Sequence, residues 1–154
     1  MFLTVHGTAG AIIGLQTGNP LLAFLFGLIS HYIFDMIPHG DEKMIADHQN
    51  VSPQEIKKIA QIGSIDGLTM LFLLGGLLYS GRLPLDLAVL FGVAGGILPD
   101  FLNAFYQLLK FKWLKFHYDF HLWLHGVLKK FAVSFKTGLA IQAAILAVLL
   151  WRVV

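Results

Sequence analysis

Cysteine is absent from the 154 residues. That excludes disulfides, thiolate metal sites and a thiol nucleophile. Charge is scarce: 13% of the residues are Asp, Glu, Lys or Arg, against roughly 25% in an average soluble domain. The net charge of +2 is too small to suggest nucleic acid, and no basic stripe interleaves with base-stacking aromatics. The chain has no phosphate-binding P-loop and no G-x-S-x-G elbow, and Ser30 and Ser64 stand in no nucleophile motif. No Lys or Arg precedes the first apolar run and His6 interrupts it, so a cleaved signal peptide is not expected.

What the chain has is apolar surface. Its hydrophobic fraction is 56% and its mean hydropathy is +0.72. This composition predicts an integral membrane protein, all-α, with residues 1–154 as one membrane-embedded domain. The expected architecture is about five membrane-embedded helices plus interfacial ones, with the lipid bilayer as the main partner. Residues 2–17 read as the first helix. "TGNP" at 17–20 is a break, and Pro20 suits the start of a second helix over 20–36. Pro38 disfavours helical backbone at Ile37, so that helix should stop there. "SPQE" at 52–55 has the form of a capping box and opens a helix running to about Tyr79. A fourth helix is expected over 84–98, closed by Pro99. Residues 101–131 are mixed aromatic, basic and histidine-rich, and read as one or two helices at the membrane surface. Residues 137–151 make the last apolar helix.

Most of these segments hold roughly 15–19 apolar residues, fewer than the ~20 that cross a bilayer comfortably. Glycines recur at four-residue spacing: Gly10, Gly14 and Gly18; Gly63 and Gly67; Gly92 and Gly96. Such spacing lets helix backbones approach closely, although glycine is common in membrane helices in any case.

If the helices alternate direction, Lys43, Lys57, Lys58, Lys110, Lys112, Lys115, Lys129, Lys130 and Lys136 fall on one side and Arg82 and Arg152 on the other. The positive-inside rule makes the lysine side cytoplasmic, the N-terminus included. Histidine segregates in the same way. "SHYIFDMIPHGD" at 30–41 delivers His31, Asp35, His39 and Asp41 to that side. His6, Asp66 and Asp100 sit at helix ends of the same depth, and His117, His121 and His125 follow in the surface segment. His31 and Asp35 are four apart and share a helix face. His and Asp without sulfur suit Zn²⁺, Mn²⁺ or Fe²⁺. An ionised Asp at mid-membrane costs about 2.5–3.5 kcal/mol on insertion scales, so Asp35, Asp66 and Asp100 need a partner, and a cation would serve all three. The triple histidine can equally be an interfacial face beside Trp113 and Trp123. Asp86 fits a helix cap, and Glu42, Asp47, His48 and Asp119 fit solvated surface.

"VHGTAG" in the first helix, "HYIFDMIPHGD" closing the second, "LPD" and the downstream His-rich segment resemble the small prokaryotic membrane-bound metal-dependent hydrolases, the YdjM-like group. That group is distantly similar to zinc-dependent phospholipase C. The resemblance covers most of residues 1–125. It implies a prokaryotic inner-membrane protein. It also implies ligand roles for His6, His31, Asp35 and Asp100, with His121 and His125 standing for the downstream histidines. "FHYDFHLWLH" departs from the group's H-R-G-x-T-H-S form.

The expected function is a membrane-bound metal-dependent hydrolase of a phosphoester such as a phospholipid. Its ion, most simply zinc, would sit at the cytoplasmic face, with Asp35, Asp66 and Asp100 as the catalytic carboxylates. The rival expectations are a metal or proton transporter, whose ligands usually lie at the bilayer midplane, and a scaffold stabilised by metal.

Overall fold

The structure, a computed structural model, describes residues 1–40 and 51–153. Among these residues it is all-helical: α1 (Leu3–Thr17), α2 (Pro20–Asp35), α3 (Pro53–Tyr79), α4 (Leu87–Leu109), α5 (Lys115–Gly126) and α6 (Phe135–Trp151), with short 3₁₀ turns at Lys112–Leu114 and Lys129–Phe131. Two helices, α3 and α4, are long and apolar enough to cross a membrane. The helices α1, α2 and α6 have 15, 16 and 17 residues, short of the ~20 of a full span. The all-α expectation therefore holds, while full spanning length belongs to two helices rather than five.

Local chemistry sets most boundaries. The Asn19 side chain accepts from Leu22 N–H, with Pro20 as the first helical residue of α2. At the start of α3 the capping box is complete: Ser52 Oγ accepts from Glu55 N–H, and Glu55 Oε2 accepts from Ser52 N–H at 2.9 Å. Asp86 caps α4 through Val89 N–H at 2.8 Å, and Ser134 caps α6 through Thr137 N–H. Each cap satisfies a donor the first helical turn leaves open. Pro99 does not close α4, which runs on to Leu109. Proline removes one ladder hydrogen bond, but α4 is flanked by both α1 and α2, and packing of this kind carries a helix past a local breaker.

The seams along α4 are glycine seams. A Cβ at Gly10 or Gly14 would run into the backbone of Gly92 or Ala88. A Cβ at Gly27 would lie 2.5 Å from the Gly92 carbonyl oxygen, and one at Gly96 would lie 2.6 Å from the His6 carbonyl oxygen. The four-residue spacing thus marks true close approaches at Gly10, Gly14, Gly92 and Gly96, whereas a Cβ at Gly18 meets nothing and that residue ends α1 in left-handed backbone. The Gly63 and Gly67 pair marks none: a Cβ at Gly63 meets nothing, and one at Gly67 meets a Leu3 methyl at ordinary distance. Helix α3 leans on α1 with much of its surface outward, including Leu71 and Phe72. Helix α6 also contacts α1, and Gly138 brings it against the His39 backbone. Helix α5 turns back on the last turns of α4, Tyr118 against Gln107 and His121 against Asn103, and also meets the end of α2.

Candidate metal centre

Asp35 is the last residue of α2, where the chain leaves helical geometry ahead of Pro38. Its carboxylate is fully buried and gathers histidines from three helices. Oδ2 lies 2.7 Å from His121 Nε2, 3.0 Å from His31 Nε2 and 3.1 Å from His125 Nε2. Oδ1 lies 3.1 Å from His6 Nε2 and 2.5 Å from the Met1 amino group. The His6 and His31 rings stack with centroids 4.0 Å apart. The glycine seams make this possible, because they let α1 and α2 draw close on α4 near the level of Asp35.

Two overlapping groups have the composition and spacing to hold a metal ion. One comprises His31, Asp35, Asp100 and His121; the other comprises Asp35, His39 and His125. Within each group the ligand atoms lie within 4.8 Å of one another. Asp35 belongs to both.

The far sides of the rings are tied down. His31 Nδ1–H donates to the Gly96 carbonyl at 2.7 Å, and His39 Nδ1–H donates to the Ile37 carbonyl at 2.7 Å. The Asn103 side-chain amide sits against His121 Nδ1. Its own Oδ1 is buried and unpartnered, so the amide orientation that offers this oxygen to Nδ1–H satisfies both groups. Three histidines thus share one arrangement. The Nδ1–H is held by an acceptor, and the Nε2 lone pair is left facing the centre. This is how proteins orient metal-binding imidazoles. It also creates a need. His121 and His125 bring their Nε2 atoms to 2.9 Å, and two lone pairs at that distance repel unless a proton or cation lies between them. Burial pushes His121 below the usual histidine pKa, although Asp35 opposes this. Burial also lowers His117. Neutral rings are the form that binds metal.

The remaining candidates fall into place around this centre. Asp100 approaches His31 Nε2 at 3.9 Å, with its side chain 29% exposed. His6 reaches Asp35 from α1 and lies outside the two groups. His117 turns aside, its Nε2 3.1 Å from the Tyr32 hydroxyl. Asp66 is engaged elsewhere: it accepts from Leu3 N–H at 2.5 Å and from the Thr4 N–H and hydroxyl, so it caps the start of α1 from across the α1–α3 seam. Asp41 lies outside the described residues. Sequence reasoning missed Asn103 and Gln142. The buried Gln142 side chain accepts from Phe2 N–H at 2.7 Å and donates to the His39 carbonyl at 3.3 Å. Asn103 had a signal, since it lies one turn beyond Asp100 on α4. Gln142, in a helix whose other polar residues, Lys136 and Thr137, lie in its first turn, is the one buried polar residue there.

Compared with family models, curated proteins and solved structures, the chain finds no match.

Proposed function

We propose that this protein is a membrane-bound, metal-dependent hydrolase of phosphoesters, with lipid phosphoesters as its substrate class. The observation that carries the reading is the convergence of His31, His121 and His125 Nε2 on one buried carboxylate oxygen of Asp35. A hydrogen-bonded core histidine needs one partner; three imidazole nitrogens on one carboxylate oxygen have the chemistry of a ligand set. A divalent ion bound there supplies a Lewis acid and water activated near neutral pH. Nitrogen and oxygen donors without sulfur suit Zn²⁺, with Mn²⁺ and Fe²⁺ as alternatives.

The chain's own groups divide the remaining work. Asp35 carries the charge that balances the cation. His31 and His121, fixed by Gly96 and Asn103, hold their rings in register. Asp100 is the half-open member of the first group and takes a proton from water on the accessible side. His125, 22% exposed, is the partly accessible member of the second group. The partial exposure of Asp100 and His125 favours catalysis over a purely structural ion, whose site would be closed by protein ligands. The complete burial of Asp35 and His31 favours the structural rival, so the two readings are set against each other in the test.

Asp35 ends α2 and His121 and His125 come from α5, while Asp100 stands inside α4. Alternating helix directions assign nine of the eleven basic residues to the side on which α2 ends. By the positive-inside rule this is the cytoplasmic face of the plasma membrane. Two of the ligands, His121 and His125, come from α5, outside the membrane-length helices, which argues against a transporter with all its ligands at the midplane.

The test measures metal content and hydrolysis of a phosphoester in the reloaded full-length protein, alongside Asp100→Asn. A catalytic site loses turnover in Asp100→Asn and keeps most of its metal. A structural site shows no turnover in either protein, and chelation lowers the melting temperature. A folded protein that takes up no divalent ion ends both readings.

A further inference from the structure

Helix α5 is built with three different faces. Tyr118, His121 and Leu124 are buried against the bundle, with Leu114 just before them. Trp113, Phe116, Phe120 and Trp123 form a second stripe, and all four are exposed, Phe116 at 82%. Phe120 and Trp123 stack on one another with centroids 6.0 Å apart. Lys115 and Asp119 form the third face, exposed and paired at 2.5 Å. At 3.6 residues per turn the centres of these faces stand roughly 120° apart. A helix in water has two environments, core and solvent. A helix with an apolar inner face, an aromatic outer face and an ionic third face meets three: protein, hydrocarbon boundary and water.

Large exposed aromatics in a contiguous stripe mark an interaction surface. The occupant follows from chemistry. Tryptophan concentrates where lipid headgroups meet acyl chains. The 110–130 segment holds Lys110, Lys112, Lys115, Lys129 and Lys130 against the single acid Asp119, which suits a phosphate-bearing surface. The stripe also follows closely in the chain on the membrane-length helix α4, which ends at Leu109.

We propose that α5 lies in the headgroup–acyl boundary of a phospholipid leaflet, and that this lipid contact holds His121 and His125 against Asp35. The proposal rests on the reading of the chain as a membrane protein, and its second half also rests on the metal reading. Few α5 side chains are buried in protein, so the bundle alone grips it by a narrow strip. The lipid covers the aromatic stripe and fixes the helix's rotation, which in turn sets where its histidines point. The bilayer is then part of the metal centre's support.

The first experiment uses the full chain in phospholipid nanodiscs, with single-tryptophan variants retaining Trp113 or Trp123 and the other tryptophans changed to Phe. Lipids brominated high on the acyl chain should quench both more strongly than lipids brominated near the chain end. Absence of quenching by either, or stronger quenching from the chain end, overturns the placement. A chain that stays monodisperse without detergent or lipid would sink the membrane reading itself, before any bromine is used.

The second experiment titrates Zn²⁺ against a competing chelator. The triple variant Trp113→Ser, Phe116→Ser, Trp123→Ser should bind on the order of 10-fold more weakly, the scale of losing an outer-shell support. Phe72→Ser, on the exposed side of α3, should leave affinity unchanged. Changing the same two tryptophans to Tyr, which also favours the interface, should restore binding. Unchanged affinity in the triple variant overturns the second half. A wild-type protein that binds no Zn²⁺, Mn²⁺ or Fe²⁺ overturns the metal reading and the second half, while the bromine result still decides the placement.

Discussion

His121 and His125 lie one turn apart on α5 and bring their Nε2 atoms within 2.9 Å of each other, both against Oδ2 of Asp35. Something positive has to occupy that junction. A shared proton would satisfy one pair of atoms. A divalent ion would satisfy His31 as well, whose Nε2 also lies 3.0 Å from Asp35 Oδ2.

The protein should therefore purify with a divalent ion, and chelation should destabilise it. An ion at 100 times its dissociation constant contributes about 2.7 kcal/mol. Elemental analysis and thermal melts with and without chelator measure both. Identical melts with an empty site would contradict the ligand set.

Asp35→Asn and Asp100→Asn should part company. Asp35 is buried among five nitrogen contacts, so removing its charge strips the ion and breaks a buried ionic network, at about 3–5 kcal/mol. Asp100 is partly exposed, and its amide variant should melt within about 0.5 kcal/mol of the parent, the scale of surface substitutions. Thermal melts with metal analysis separate the two. Equal destabilisation would mean that Asp35 is not the hub.

The glycines offer a stability contrast independent of any ligand. Gly92→Ala drives a methyl into the α1 backbone, and overpacking of this kind costs about 1–3 kcal/mol. Gly75→Ala meets open space, and in a helix interior Ala is favoured over Gly by about 0.8–1 kcal/mol. The first should lower the melting temperature and the second should hold or raise it.

Sidedness is testable by labelling. Cysteines introduced singly at Lys112 and Arg82, both exposed, should react with an impermeant thiol reagent from opposite sides of intact membranes. Reaction from one side would undo the proposed cytoplasmic placement of the candidate metal centre.

Much of this was legible in the sequence because it is local. The capping box at Ser52–Glu55, the Asn19–Pro20 start and the shared face of His31 and Asp35 depend on residues within one turn of each other. The glycine periods of α1 and α4 were also legible, although the same period at Gly63 and Gly67 marks an open face. What was not legible is set by tertiary contact. Pro99 looked like a stop, and α4 passes it because two helices hold it. Asp66 looked like a ligand, since any buried carboxylate needs a partner; its partners are the open N–H groups at the start of α1. No sequence spacing connects Asn103 to His121 or Gln142 to His39.

Gly96 faces two ways. Its missing side chain lets the His6 backbone approach, and its carbonyl fixes the tautomer of His31. Anyone redesigning this protein meets that residue as a single knob wired to two dials. Retuning the preferred ion through His31 cannot be done by reshaping α4, because any added atom there pries α1 from the bundle. Variation compatible with such a centre should instead accumulate on α5, which supplies the candidate ligands His121 and His125 without stitching the helices together. A library seeking a new metal preference is best aimed at the stretch from His117 to His125, with α4 left as it stands.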